Sequence, residues 1–243
     1  MEKTKTYVLV HGAWHGAWCW KHVARSLRSA GHEVYTPTQT GLGERSHLLT
    51  KDTRLDTFVK DVVNLLEWEE LENVVLVGHS FGGIAVTGAA DLVPERIGHL
   101  VYLDSLILQH GQTAFSVVPP EVAAARRELA RTSSGGVTIP VPEPQAFGVS
   151  DPADAAWLRA KCTPHPLSTY EDSFELHGPV GNNLPATYIA VRPDYAPLAA
   201  VREFARSQKN WAYMEMDAGH DAMVTSPEPL SRILRSIQDP AFG

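Results

Sequence analysis

Cysteine is scarce in this sequence. Two thiols, Cys19 and Cys162, stand among 243 residues, too few for a disulfide framework, and neither has metal-ligand spacing. They read as ordinary reduced thiols. Long apolar runs are missing as well. Nothing approaches the roughly 18 residues that would span a bilayer. The opening Met1–Thr6 segment leads into a short strand without a charged-then-apolar leader, so a cytoplasmic chain with no membrane partner is expected. Positive charge is in deficit: 21 Lys and Arg against 28 Asp and Glu leave a formal net charge of −7. The basic residues are scattered, which argues against nucleic acid as a partner. Internal repeats and low-complexity tracts are lacking too. Core material is plentiful. With 44% apolar and 20% charged residues the chain can bury a sizeable interior, and its length fits one large α/β domain or two small ones.

Short apolar runs alternate with helical patterns. Tyr7–Val10, Glu33–Tyr35, Val74–Val77, Leu100–Leu103, Thr187–Val191 and Trp211–Met216 read as strands. Leu55, Phe58, Val59, Val62, Val63 and Leu66 form one stripe of a 3.6-residue period, the clearest helix in the chain. Further helices are expected over about Trp18–Ala30, after Ser80, near Leu198–Arg206 and from about Pro227 to Ile237. This alternation predicts an α/β chain with a parallel sheet covered by helices on both faces. From about Ile107 to Asn183 the pattern changes. Helical pieces near Glu121–Arg131, Ala153–Lys161 and Ser168–Leu176 are broken by Pro- and Gly-rich loops, as in an inserted cap.

The most informative stretch is Gly78-His79-Ser80-Phe81-Gly82-Gly83, directly after the apolar Val74–Val77 run. Gly-x-Ser-x-Gly between a strand and a helix is the pattern of a nucleophile elbow, which lifts a serine hydroxyl off the sheet at a helix N-terminus. Such a serine needs a base. Among eleven histidines, His220 follows the last strand in a tight Gly219-His220 loop. The base in turn needs a carboxylate. Asp194, after Thr187–Val191, and Asp104, one strand end earlier, could both reach the imidazole, and Asp194 is favoured. Asp217 and Asp221 flank His220 too closely to orient its ring and read as solvated or capping residues. The Phe81 N–H and an N–H of the first loop, assigned to Ala13, would form the oxyanion hole. His11 reads as a structural residue of that loop. Gly12, Trp14 and His15 in the first loop, with Trp157, Tyr170 and Phe174 in the insertion, are candidate substrate contacts.

Together, His11–Trp18, Thr40–Leu48, Gly78–Gly83 and Ala218–Met223 resemble the α/β-hydrolase superfamily. More narrowly, the chain is similar to the branch holding plant methylesterases, hydroxynitrile lyases and small bacterial carboxylesterases, including pyrethroid-hydrolase-like enzymes. The resemblance implies a mostly parallel six-stranded sheet flanked by helices. Residues 1–106 and 184–243 would form this core, and 107–183 a helical cap inserted after the strand ending near Asp104. It also implies a Ser80–Asp194–His220 triad with Ala13 and Phe81 as oxyanion donors, and no metal or organic cofactor. Hydroxynitrile lyases of this branch carry threonine where Gly12 stands and lysine where Asp221 stands, so ester hydrolysis is favoured. The expected activity is that of a serine carboxylesterase on a small to medium, uncharged, partly aromatic ester. The alternatives are a lyase or lactonase on the same triad, or a small-molecule receptor with vestigial hydrolysis. A homodimer is compatible with this reading.

Overall fold

A computed structural model of the chain describes residues 3–237. The core opens with β1 (Thr6–Val10), α1 (Lys21–Ser29), β2 (Glu33–Tyr35), α2 (Leu55–Trp68), β3 (Val74–His79), α3 (Gly82–Leu92) and β4 (Ile97–Leu103). An insertion follows, with α4 (Pro120–Ser134), β5 (Thr138–Ile139), α5 (Pro152–Lys161), β6 (His165–Pro166) and α6 (Ser168–Glu171). The core resumes with β7 (Ala186–Arg192), α7 (Ala199–Ser207), β8 (Trp211–Asp217), α8 (Ala222–Thr225) and α9 (Pro227–Ser236).

Six strands form one sheet in the order β2-β1-β3-β4-β7-β8, and every pair in it is parallel. Helices cover both faces of such a sheet, so its inner strands need apolar residues on both sides. All six residues of β3 are buried. The α2 stripe read from the sequence is its buried face. α3 is buried from Gly82 through Ala90. The chain leaves β1 for β2 on one side and returns to β3 on the other. This reversal opens a crevice at the carboxyl ends of β1 and β3, where open α/β sheets bind ligands.

The insertion shares one hydrophobic core with the sheet, through Phe115, Phe147, Leu158 and Tyr170. Its two-residue strands β5 and β6 pair antiparallel, a feature too short to show in the sequence pattern. The helix expected over Ser168–Leu176 stops at Glu171. There Asp172 turns extended, and its carboxylate accepts hydrogen bonds from the Leu55 N–H and Arg54 Nη1, both at 2.9 Å. It thereby satisfies an orphan amide at the start of α2.

Candidate active site

The elbow lies where β3 meets α3. Ser80 has φ of 51°, a left-handed value that costs a non-glycine residue energy and persists only where its surroundings impose it. Here the Ser80 N–H donates to Leu103 O at 3.1 Å, and its carbonyl accepts from the Leu106 N–H at 2.8 Å and from Ser105 Oγ at 2.8 Å. Close backbone approach requires Gly82, where a Cβ would lie 2.5 Å from His11 O. It requires Gly12 as well, where a Cβ would lie 2.8 Å from Ser80 Cβ.

His220 follows β8, and its ring is buried beside Ser80. Ser80 Oγ donates to His220 Nε2 at 2.9 Å. On the far side of the ring, Nδ1–H donates to Asp104 Oδ2 at 2.7 Å. This corrects the expected acid. Asp194 does not meet the imidazole; its side chain is 71% exposed and forms an ion pair with Arg202 Nη1 at 2.5 Å. Asp104 wins because its side chain is fully buried at the end of β4, next to the elbow strand, with φ of 39°. Its other oxygen accepts from Arg202 Nη2 at 2.6 Å. Burial alone would raise the Asp104 carboxyl, but the hydrogen bonds and charges of His220 and Arg202 outweigh it and hold the group below the usual carboxylate range. Sequence reasoning missed Arg202. Its signal was a charged residue inside the apolar stripe Leu198, Val201, Arg202 and Ala205, all four of which are buried.

Several histidines hold the loop after β1. The His11 Nε2 accepts from the Gln39 N–H at 3.0 Å, so Nδ1 carries the proton and donates to Gly12 O at 2.8 Å. Burial keeps this ring neutral, its pKa pushed down to about 3. The Gly12 carbonyl belongs to the same peptide unit as the Ala13 N–H, so this bond fixes how that amide points. Among the described residues neither the Ala13 nor the Phe81 N–H meets an acceptor, whereas the Trp14 N–H reaches His165 Nδ1 at 3.4 Å. Trp14, with φ of 66°, is bound to the insertion three ways. Besides that amide, its indole N–H donates to Ile139 O at 3.2 Å, and its carbonyl accepts from the Thr163 N–H at 2.9 Å.

Three further expectations need correction. His15 is not a substrate contact. It is 1% exposed, with Nδ1–H donating to Ala13 O and Nε2–H donating to Asp221 Oδ2 at 2.8 and 2.9 Å. Both nitrogens face acceptors, so the ring is an imidazolium. Burial opposes that charge, but Asp221 outweighs it and raises the His15 pKa well above its ordinary value. Asp221 is therefore not solvated; it is wholly buried, and His15 overcomes the burial that would raise its carboxyl. Trp157 packs edge-on against Trp18 at 5.1 Å and His22 at 5.5 Å rather than against the rings beside Ser80. Tyr170, by contrast, reaches the site, its ring 4.7 Å from that of Phe81. His79 Nε2–H donates to His220 O at 3.0 Å and so ties the elbow to the base loop. Ligand-type atoms of His79, His220 and Asp221 approach within 4.8 Å of one another. Both His220 nitrogens, His79 Nε2 and Asp221 Oδ2 are engaged in the bonds above, while His79 Nδ1 and Asp221 Oδ1 are buried without a hydrogen-bond partner among the described residues.

The sequence model of the alpha/beta hydrolase family matches residues 7–233. The chain belongs to this family. A carbendazim hydrolyzing esterase of Nocardioides sp. (strain SG-4G) is 37% identical over 242 residues, covering 95% of this chain and 98% of that one. The putative methylesterase 14, chloroplastic, of Arabidopsis thaliana is 36% identical over 124 residues, 51% of this chain and 36% of its own. An extracellular alpha/beta-hydrolase from a Paenibacillus species superimposes with a TM-score of 0.83 at 24% identity, covering 95% of this chain and 97% of that one. A pyrethroid hydrolase from Sphingobium faniae JZ-2 does so with a TM-score of 0.76 at 19% identity, covering 96% of each. At these identities the superpositions carry the fold. In this alpha/beta hydrolase no helix among the described residues is long and apolar enough to cross a membrane.

Proposed function

We propose that the protein is a serine carboxylesterase working through Ser80, His220 and Asp104. The observation that carries the reading is the unbroken relay from Ser80 Oγ through both His220 nitrogens to Asp104, beside two amides free to donate. The relatives named as a carbendazim hydrolyzing esterase and as methylesterases support ester chemistry.

Ser80 Oγ attacks the ester carbonyl carbon while His220 Nε2 takes its proton. Asp104 holds the Nδ1–H tautomer and stabilises the imidazolium that forms. The carbonyl oxygen, now negative, accepts hydrogen bonds from the Ala13 and Phe81 N–H groups. Collapse breaks the bond to the alcohol oxygen, which leaves with the proton from Nε2. Water then attacks the acyl-enzyme by the same route and releases the acid. Phe81, Tyr170 and Trp14 favour a small to medium, partly aromatic ester with an uncharged reacting end. Asp221 stands where hydroxynitrile lyases of the resembling branch carry lysine, so that position offers departing cyanide no lysine cation; its buried carboxylate bonds His15 instead. Two free cysteines fit a cytoplasmic place of work.

The test is covalent. Incubation with a fluorophosphonate should label the peptide carrying Ser80 and stop hydrolysis of p-nitrophenyl butyrate in the same proportion. Full hydrolysis after stoichiometric labelling at Ser80 would refute the reading.

A further inference from the structure

The insertion carries an arginine whose neighbours differ from those of its other arginines. Arg127, Arg131 and Arg159 each face a carboxylate, on Glu171, Glu128 and Glu143. Arg126 is half-buried on α4, and among the described residues no carboxylate or carbonyl lies within bonding reach of it. Its guanidinium sits instead over two rings, 5.6 Å from the Trp14 centroid and 5.2 Å from that of Tyr170.

Those rings connect the charge to the residues that flank the serine and the first loop. Trp14 follows Ala13, and Tyr170 lies 4.7 Å from Phe81, the residue after the serine. A third ring, Tyr195, stacks on His220 at 4.0 Å. Beside the larger effect of burial, the charge of Arg126 also reaches Tyr195, Tyr170 and His165, acting to lower the pKa of each. A guanidinium held over aromatic rings, with no carboxylate or carbonyl of the described residues bonded to it, has N–H groups left to grip a carboxylate at two points.

We propose that Arg126 is a substrate subsite for a carboxylate at the far end of the ester, so that the natural substrate is a half-ester or an ester of a carboxylate-bearing acid. This rests on the esterase reading and amends the sequence expectation of an uncharged substrate. The reacting carbonyl still meets neutral aromatic walls; the negative charge sits one arm's length away.

The experiment compares p-nitrophenyl half-esters of dicarboxylic acids from succinic to suberic with p-nitrophenyl esters of monocarboxylic acids of equal chain length. At one length the half-ester should exceed its neutral partner on the order of tenfold in kcat/KM, the usual scale of a charged hydrogen-bonded contact. Added salt should shrink that ratio. Arg126→Gln should abolish it, mainly through KM, and Arg126→Lys should restore part of it. Calorimetry of the best half-ester with Ser80→Ala should show the same dependence on Arg126 without turnover. The proposal is overturned if no length is preferred, or if Arg126→Gln slows both partners equally, as loss of packing on Trp14 would. Hydrolysis that survives Ser80→Ala would instead sink the esterase reading, while the calorimetry still decides Arg126.

Discussion

Asp104→Asn separates the two candidate acids, and the structure fixes what the amide must do. Asp104 presents one oxygen to Arg202 Nη2 at 2.6 Å and the other to His220 Nδ1 at 2.7 Å. A guanidinium can only donate, so the asparagine carbonyl stays with Arg202 and the NH2 group turns to His220. Nδ1 must then accept, which moves the ring proton to Nε2. That nitrogen faces Ser80 Oγ at 2.9 Å and can no longer take its proton. The same tautomer error in a serine protease costs about 10⁴ in kcat, and a loss of that order is expected here with the fold retained. Asp194→Asn removes the charge of one solvent-facing partner of Arg202. The aspartate side of this pair is 71% exposed and asparagine keeps an oxygen to accept from Arg202, so the loss should be about 1 kcal/mol and the rate should stay within about fivefold. Steady-state rates on p-nitrophenyl butyrate, with circular dichroism to check folding, read both variants. A large loss in Asp194→Asn with a small one in Asp104→Asn would refute the assignment.

Ser80→Ala should lower kcat on the order of 10⁴–10⁶ with an unchanged melting curve; more than a tenth of the parent rate in pure protein would remove Ser80 from the reaction. Gly82→Ala forces a Cβ to within 2.5 Å of His11 O, and overpacking of this kind costs roughly 1–3 kcal/mol, so the melting temperature should fall by several degrees. Between pH 6 and 5 the protein should lose stability. His11 and His79 are buried neutral with pKa values pushed down to about 3, so unfolding takes up protons there, at roughly 1 kcal/mol each across that interval. His165, also lowered by burial, acts in the same direction. The raised His15 contributes fully below its unfolded value and does not oppose this loss. The lowered Asp104 and Asp221 keep their contribution until the pH nears ordinary carboxylate values. Equal urea midpoints at pH 6 and pH 5 would contradict the linkage.

The sheet was legible because parallel strands buried on both faces must be short continuous apolar runs, as β3 and β4 are. The α2 stripe was legible for the same kind of reason, since its period is local. The acid was not. Asp104 and Asp194 each follow a strand, and no local pattern says which one the imidazole will meet. The answer lies in Arg202, 98 residues from Asp104 along the chain, which draws one aspartate inward and meets the other at the surface. His15 and Asp221 were opaque for a related reason. Their contact spans 206 residues, and a buried ion pair of that separation leaves no periodic trace. Tyr170 was readable as an aromatic of the insertion, yet Trp157 looked equally suitable; only the packing of α5 against Trp18 parts them.

The three bonds that tie Trp14 to Ile139, Thr163 and His165 bear on how such enzymes can be recombined. Specificity in a hydrolase with an inserted segment invites module exchange, with one relative's insertion grafted onto another's sheet. In this chain such a graft would also break the anchorage of the loop that carries the Ala13 amide. A chimera that keeps the core intact but imports a foreign insertion would bind its new ligand beside a slack first loop and turn it over slowly. Transplanting residues 11–15 together with the insertion is the exchange unit this architecture defines.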